Sequence, residues 1–282
     1  MQNKKAILNS EVCCDEHGRQ YHIQLAPGEM GEYIIMVGDF ARAEKYAKLF
    51  FDEILLEKHN REFASFIGMY KGLKISVMGT GISTSNTEIA MIEIFQITQN
   101  PTFLRIGTSG GLQEYINVAD FVIATGGVRY ENTSTYFVPE NYPAISDLEI
   151  NLALISQCEK NNFPYHLGLT ATASGFYGAQ GRNIPGIPIR YPNIQDEMTK
   201  LGISNLEMET STLLTLASVK KCRASAICIA INNRQHGTFI TPEKMAEAET
   251  NIGKVGFETM LMLSKIDEKK KAENKKFWYP EM

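Results

Sequence analysis

The sequence lacks an excess of basic residues, a long apolar run and a paired set of cysteines. Its 282 residues include 28 Lys and Arg against 32 Asp and Glu, for a net charge of −4. Without a basic excess, the chain lacks the charge that non-specific nucleic-acid binding requires. No apolar run reaches the ~18–20 residues of a membrane span, and five cysteines without a pairing pattern do not suit a secreted disulfide framework. These absences predict a reduced, cytoplasmic protein that binds neither nucleic acid nor membrane.

Short β-rich runs alternate along the chain with segments of helical periodicity. The predicted strands are Tyr33–Val37, Glu62–Tyr70, Lys74–Met78, Thr102–Ile106, Phe121–Val128, Tyr165–Ala173 and Ala224–Ile231. The predicted helices are Ala41–Phe50, Ser83–Thr98, a segment around 148–155, one that begins near Thr210, and Thr241 to about Glu268. This alternation predicts a single α/β domain with a central mixed β-sheet flanked by helices on both faces. We expect that domain over 21–268, between an N-terminal extension (1–20) and a charged C-terminal tail (269–282).

Three glycine-containing segments follow predicted strands: Val37-Gly38-Asp39, Gly79-Thr80-Gly81 and Gly107-Thr108-Ser109-Gly110-Gly111. Glycine lets backbone N–H groups approach an anion, and Ser or Thr adds hydroxyl donors. Taken alone, a segment of this kind is usually an ordinary turn. In open α/β sheets ligands bind at the carboxyl ends of strands, so these segments are candidate parts of a site.

Arg42 and Arg105 lie close to these glycine segments in the sequence, and Arg61 directly precedes the predicted strand that begins at Glu62. Arg105 falls inside an apolar run, where a guanidinium is expensive to bury unless it meets an anion. One interpretation of the three arginines is structural ion pairing with Asp39 or Glu62. The alternative is a phosphate clamp, because guanidinium stays charged and binds phosphate oxygens bidentately.

Two later segments carry further candidate residues. Phe176, Gln180 and Arg182 lie in the loop after a predicted strand, where an aromatic ring, an amide and a guanidinium could stack on a planar base and bind its edge. The alternative is a surface loop with incidental polar residues. Glu207 and Glu209 precede a predicted helix, where carboxylates are common caps; alternatively, Glu209 accepts hydrogen bonds from sugar hydroxyls.

Taken in order, six of these segments resemble the uridine phosphorylase branch of the nucleoside phosphorylase family. The resemblance runs from about Tyr21 to Phe257 and rests on Gly38-Asp39-x-x-Arg42, Arg61-Glu62-Phe63, Phe103 to Gly110, Phe176-Tyr177-x-x-Gln180-x-Arg182, Glu207-Met208-Glu209 and Asn233-Arg234. It implies a nucleoside phosphorylase-like fold and the phosphorolysis of uridine, deoxyuridine or thymidine, a glycosyl transfer of pyrimidine salvage. It also implies a homo-oligomer with shared active sites, either a dimer or a trimer of dimers, with inorganic phosphate as co-substrate and no cofactor.

The resemblance assigns a role to each matching residue. The phosphate-binding set is Gly38, Arg42, Arg105, Thr108 and, from the neighbouring subunit, Arg61. The ribose-binding set is Thr108, Met208, Glu209 and, from the neighbouring subunit, His22. The base-binding set is Ser109, Gly110, Phe176, Gln180, Arg182, Glu207, Ile231 and Arg234. The catalytic residues would be Arg105, Gln180 and Arg182.

Two departures from the family pattern bear on these expectations. The family can hold a potassium ion between subunits near Glu62 and Ile82, but Asn86 stands here where the pattern has serine. Purine-cleaving relatives place an aspartate near position 232, where this chain has Asn232 after Ile231. The rival functions are therefore a purine nucleoside phosphorylase or nucleosidase on the same fold, or a non-catalytic nucleoside-binding protein.

Overall fold

The computed structural model describes residues 10–279. Its strands are β1 (Tyr33–Val37), β2 (Glu53–Asn60), β3 (Phe63–Tyr70), β4 (Leu73–Gly79), β5 (Thr102–Gly111), β6 (Phe121–Tyr130), β7 (Ala144–Ile145), β8 (Tyr165–Ala173), β9 (Asn205–Glu207), β10 (Arg223–Asn233) and β11 (Thr238–Phe239). Its α-helices are α1 (Phe40–Phe50), α2 (Thr84–Ile97), α3 (Leu148–Lys160), α4 (Ile194–Lys200), α5 (Thr210–Lys220) and α6 (Pro242–Ala272). Short 3-10 turns cover Ser134–Tyr136 and Gly178–Gln180.

The strands form one mixed sheet that is partly closed on itself. Strands β4, β1, β5 and β10 run parallel to one another. Strand β10 then pairs with β6, β6 with β8, β8 with β9, and β9 returns to β5, which closes a ring. Strands β3 and β2 extend the sheet beyond β4 to a free edge. The expected mixed sheet is therefore confirmed, and the closure at β9 holds the chain around residue 207 beside the end of β5.

Helices cover both faces of the sheet, as the alternation of elements predicts. In β1, Ile35 and Val37 pack in a core with α1, α3 and α6, whereas Ile34 and Met36 pack in a second core with α2 and α5. Successive side chains of a strand point to opposite faces. A strand buried on both faces therefore has a continuous apolar run, which is why its sequence is Tyr-Ile-Ile-Met-Val.

The structure differs from the sequence prediction in the length of β5 and in four strands that were not predicted, β2, β7, β9 and β11. The glycine-rich segment 107–111 is not a turn but the second half of β5, because Gly110 and Gly111 pair with Leu206 and Asn205 of β9. Strand β2 was not predicted, since it is a largely exposed edge strand with the polar sequence Glu-Ile-Leu-Leu-Glu-Lys-His-Asn. The second half of β5 and strand β2 both form through pairing with other strands, and the local sequence does not reveal that pairing.

The two ends of the described chain are attached to the domain. Arg19 forms an ion pair of 2.7 Å with Glu29. Helix α6 continues past Glu268, where the sequence predicted its end, because Lys270 forms ion pairs with Glu149 at 2.6 Å and with Asp267 at 3.0 Å. The division into extension, domain and tail stays a prediction. None of the helices described over residues 10–279 is both long enough and apolar enough to span a membrane.

Candidate active site

A cavity of about 490 Å³ lies at the carboxyl ends of the parallel strands β1, β4, β5 and β10. This is where ligands bind in open α/β sheets. The predicted site residues that line it are Gly38, Arg42, Arg105, Thr108, Ser109, Gly110, Phe176, Gln180, Arg182, Glu207, Met208, Glu209 and Ile231. Segments far apart in the sequence therefore meet in one cavity.

Arg105 lies on the floor of this cavity and is only 5% exposed. Its Nε donates to Glu207 Oε2 at 3.2 Å, and its Nη2 donates to Glu209 Oε2. Burial opposes the charge on the guanidinium, but Glu209 and Glu207 outweigh that effect and hold the pKa of Arg105 above its ordinary value. Its Nη1 donates to no residue of the described range 10–279 and remains available to a ligand. The alternative of an ion pair with Asp39 or Glu62 is wrong for this arginine, because the closing strand β9 brings two other carboxylates to it.

Arg42 lines the same cavity from the first turn of α1. Asp39 caps that helix, since its carboxylate accepts the Ala41 N–H. The Arg42 Nε donates to Glu249 Oε1 of α6 at 3.0 Å, so Glu249 and not Asp39 or Glu62 is its ion-pair partner. Neither Nη1 nor Nη2 of Arg42 donates to any group in the part of the chain that the structure describes.

Glu207 and Glu209 have different surroundings at the N-terminus of α5. The Glu207 carboxylate accepts the N–H groups of Glu209 and Thr210 and the Thr172 hydroxyl, so it caps the helix as well as holding Arg105. Base recognition by this carboxylate stays a prediction. Glu209 accepts the Ser83 N–H at 2.8 Å. Burial raises the pKa of Glu209; the Arg105 charge opposes that rise and Glu207 adds to it.

The opposite wall of the cavity comes from the loop between β8 and α4. The guanidinium of Arg182 lies over the Phe176 ring, with Cζ 3.9 Å from the ring centroid, and its Nη1 donates to Gln180 Oε1 at 2.5 Å. Arg234 does not line the cavity, but its Nη1 donates to the Gln180 carbonyl oxygen at 2.5 Å. Burial lowers the pKa of both arginines, and the charge of Arg234 lowers that of Arg182 further.

The strand ends supply a third wall, formed by Thr108, Ser109 and Gly110 of β5 and by Ile231 of β10. The Ser109 hydroxyl accepts the Asn205 Nδ2–H at 2.8 Å, which fixes it in the strand pairing. The register of β10 on β5 shifts between Ala230 and Asn232, and such bulges re-aim side chains near sites. Gly110 leaves room for the Asn232 amide, because a Cβ there would lie 2.7 Å from Asn232 Oδ1.

His22 and Arg61 do not line the cavity of their own chain. They lie together on another surface, where Arg61 Nη2 donates to the Tyr21 hydroxyl at 2.9 Å and the rings of Tyr21 and His22 are 4.9 Å apart. The interpretation of Arg61 as an ion-pair partner of Asp39 or Glu62 has no support among residues 10–279, where its polar contact is Tyr21. The predicted contribution of both residues to a neighbouring subunit stays a prediction.

The residues expected near a potassium ion lie at the cavity rim. Glu62 and Ile82 both line the cavity. Carbonyl oxygens bind potassium by replacing its hydration shell, but the Ile82 carbonyl already accepts the Asn86 Nδ2–H at 3.3 Å. A carbonyl oxygen has two lone pairs, so this contact does not decide the matter. The potassium site stays a prediction, and we assign no step of the chemistry to such an ion.

Several lining residues were missed by the sequence analysis. Phe40, Leu206 and Phe239 line the cavity but were not predicted, whereas Asp39, Gly81 and Asn232, which also line it, had been noted in the sequence without an assigned role. Their position in the sequence could have identified them, since each is next to or near a predicted site residue. Glu249 had no local signal, because it reaches Arg42 across 207 positions of sequence.

Comparisons with known proteins identify the family and the fold. A family model described as the Phosphorylase superfamily matches residues 32–260. The uridine phosphorylase of Thermococcus kodakarensis is 38% identical over 280 residues, 98% of each chain, and that of Klebsiella aerogenes is 33% identical over 240 residues, 83% of this chain and 94% of the relative. A crystal structure of Trypanosoma brucei nucleoside phosphorylase, which shows uridine phosphorylase activity, matches with a TM-score of 0.82 at 22% identity, over 88% of this chain and 99% of that chain. The fold is therefore that of a nucleoside phosphorylase, and the chain belongs to the phosphorylase superfamily.

Proposed function

We propose that the protein catalyses the phosphorolysis of uridine, and of deoxyuridine or thymidine, to uracil or thymine and the pentose 1-phosphate. The observation that carries this proposal is that Arg42, Arg105, Gln180 and Arg182 line a single cavity. The identity to uridine phosphorylases over most of the chain supports the pyrimidine substrate. Inorganic phosphate is the co-substrate, and the reaction serves pyrimidine salvage.

The arginine wall binds the phosphate. Within residues 10–279, Arg105 Nη1 and both Nη atoms of Arg42 have no acceptor, and they lie where the Thr108 hydroxyl also lines the cavity. Charge-assisted hydrogen bonds contribute about 1.5–3 kcal/mol each, so several together offset the desolvation of a phosphate dianion. A phosphate oxygen forms a bond to C1′ as the C1′–N1 bond breaks. Met208 packs on the sugar, and Glu209 accepts hydrogen bonds from its hydroxyls.

The loop wall stabilises the departing base. The electron pair of the broken C1′–N1 bond moves into the uracil ring, so negative charge develops on its oxygens. Arg182 lines the cavity and forms no ion pair with any of residues 10–279, so its charge is available to the base, and Arg234 supports it from behind Gln180. Gln180 is held between them through its side-chain and main-chain oxygens. Such preorganised donors often contribute the largest share of catalysis.

A second copy of the chain completes the site. Arg61 and His22 lie on one surface beside Tyr21, outside the cavity of their own chain. In a symmetric dimer the same surface of each subunit faces the other. Arg61 of one subunit would then reach the phosphate of the other, and His22 would reach the ribose 5′ end. The active unit is accordingly at least a dimer, and a trimer of dimers repeats the same contact.

Base release with and without phosphate tests the reaction. The purified protein is incubated with uridine, inosine or adenosine, and the change in ultraviolet absorbance is followed. We expect loss of uridine only when phosphate is present. Release without phosphate would indicate a nucleosidase, preference for inosine or adenosine a purine phosphorylase, and no release a binding protein; each result would overturn the proposal.

Hybrid oligomers test the shared site. Arg61→Ala removes the contribution to the neighbour, and Arg105→Ala removes the contribution within the chain. Unfolding and refolding the two inactive variants together allows hybrids in which one site has both arginines, and random pairing would restore roughly a quarter of the wild-type activity. If refolded mixtures contain hybrids by mass spectrometry and stay inactive, the site is complete within one chain.

A further inference from the structure

Glu93 of α2 is a buried carboxylate whose hydrogen bonds are all directed to one short segment. It is 7% exposed and forms no ion pair with a Lys or Arg within residues 10–279. Its two oxygens accept the His22 N–H at 3.0 Å each, Oε2 accepts the Ile23 N–H at 2.8 Å, and Oε1 lies 2.6 Å from His22 Nδ1. Burying a carboxylate without a fixed cation is costly. That cost is offset here by four contacts to the segment that carries His22.

These contacts fix the position of the imidazole and the tautomer of its neutral form. A carboxylate acceptor at 2.6 Å requires the proton on Nδ1, which leaves Nε2 as the acceptor of the neutral ring. The main chain is held from the other side, because Asn60 Nδ2 donates to the His22 carbonyl oxygen at 2.7 Å. The Phe63 ring lies against the imidazole edge at 6.3 Å between centroids. Among the described residues, Nε2 has no hydrogen-bond partner.

We propose that Glu93 is a positioning residue for the reaction, because it presents His22 Nε2 as an acceptor to the ribose 5′-hydroxyl in the neighbouring subunit's site. This inference rests on the proposed function and its shared site. Glu93 itself touches no substrate. Its effect is confined to substrates with a 5′-hydroxyl, because that group alone donates to Nε2.

Two substrates that differ in this one hydroxyl test the role. We compare kcat and KM for uridine and 5′-deoxyuridine in the wild type, Glu93→Gln, His22→Ala and the double variant. In Glu93→Gln the amide N–H faces Nδ1, so the ring tautomer inverts and KM for uridine rises about 10-fold, while the values for 5′-deoxyuridine stay unchanged. The double variant should match His22→Ala, since Glu93 acts through that histidine.

A matched control is Glu88→Gln, which changes another glutamate of α2 that has no contact with His22 and should leave both substrates unaffected. An equal loss of activity on both substrates in a folded Glu93→Gln would overturn a positioning role, as would unchanged uridine kinetics. The ¹⁵N chemical shifts of His22 give a readout independent of activity. We expect a protonated Nδ1 in the wild type and its loss in Glu93→Gln; a protonated Nε2 in the wild type would also overturn the proposal. If the wild type cleaves neither nucleoside, the proposed function fails while the tautomer measurement still reports on Glu93.

Discussion

Arg105 of β5 and Arg223 of β10 are both paired with two carboxylates, yet they differ in the donors that remain. Arg223 donates from Nε and Nη2 to Thr102, from Nη1 to Glu149, and from Nη1 and Nη2 to Asp267, so all three nitrogens are used. Arg105 uses Nε and Nη2 and keeps Nη1 free within the described chain. Arg105 lines the cavity at the carboxyl ends of the parallel strands, whereas Arg223 lines a smaller one, of about 350 Å³, at their amino ends.

This difference separates a ligand-binding arginine from a structural one. Both guanidinium groups have a raised pKa, because neighbouring carboxylates outweigh burial in each case. Charge and burial are therefore not sufficient to identify a site. An unused donor that faces a cavity is the distinguishing feature, because an arriving anion can bind there without breaking an existing ion pair.

Removal of Arg105 is expected to have the largest effect. Arg105→Ala deletes the donor that meets the phosphate, and we expect kcat/KM for phosphate to fall about 10²–10³-fold. The variant also leaves Glu207 and Glu209 without their cation, so its fold is checked by near-ultraviolet circular dichroism. Arg105→Lys keeps a charge beside these carboxylates and serves as the matched variant. Unchanged phosphate affinity in a folded variant would remove Arg105 from the clamp.

Arg182→Ala tests the loop wall, and we expect a smaller effect that is specific to the nucleoside. Loss of the guanidinium removes a donor to uracil and the stacking contact with Phe176, so kcat/KM for uridine should fall about 10–10²-fold. KM for phosphate should change little, because Arg42 and Arg105 are untouched. The thermal midpoint should stay near that of the wild type, since this side chain lies on a loop. Normal uridine kinetics would refute the base-edge role.

The sequence predicts individual residues of this site, but it does not predict the contacts that form when distant strands pair. Gly38 could be singled out because it follows an apolar strand, Arg42 because it begins the next predicted helix, and Arg105 because a guanidinium inside an apolar run is expensive to bury. The carboxylate partners of Arg105 could not, because only closure of the sheet through β9 brings Glu207 beside β5. The same closure converts the glycine-rich segment from a predicted turn into strand.

The loop between β8 and α4 shows what local spacing predicts, and the ion-pair partner of Arg42 shows what it does not predict. The spacing of Phe176, Gln180 and Arg182 predicts that they lie together, which the stacked geometry confirms. The partner of Arg42 could not be predicted, since Glu249 belongs to α6 and no periodic pattern links the two helices. Local spacing thus predicts contacts within a loop, whereas ion pairs between distant helices or strands can be predicted only when the fold is known.

Arg223→Met should affect stability and not turnover. The side chain is held by two carboxylates and Thr102, so its loss should lower the free energy of unfolding by about 1–3 kcal/mol. Urea unfolding measures that change, and kcat per folded protein should match the wild type. Arg223→Lys is the matched variant that keeps the charge. A reduced kcat in folded Arg223→Met would contradict the assignment of this arginine as structural.

The acid dependence of the same ion pair should give the smallest effect. Burial works against the charge of Asp267, but the hydrogen bond and charge of Arg223 outweigh it and lower the pKa of that carboxyl from its ordinary value of 3.8. A carboxyl with a lowered pKa in the folded state contributes stability above its unfolded pKa, and the contribution is lost as the pH falls through the folded value. Asp267→Asn should therefore be less stable than the wild type at neutral pH, by less than about 1 kcal/mol because the group is partly exposed. The two urea midpoints should begin to converge below about pH 4 and should meet once the pH has fallen through the folded pKa; a difference that stays constant well below pH 4 would mean that Asp267 acts through packing and not through its charge.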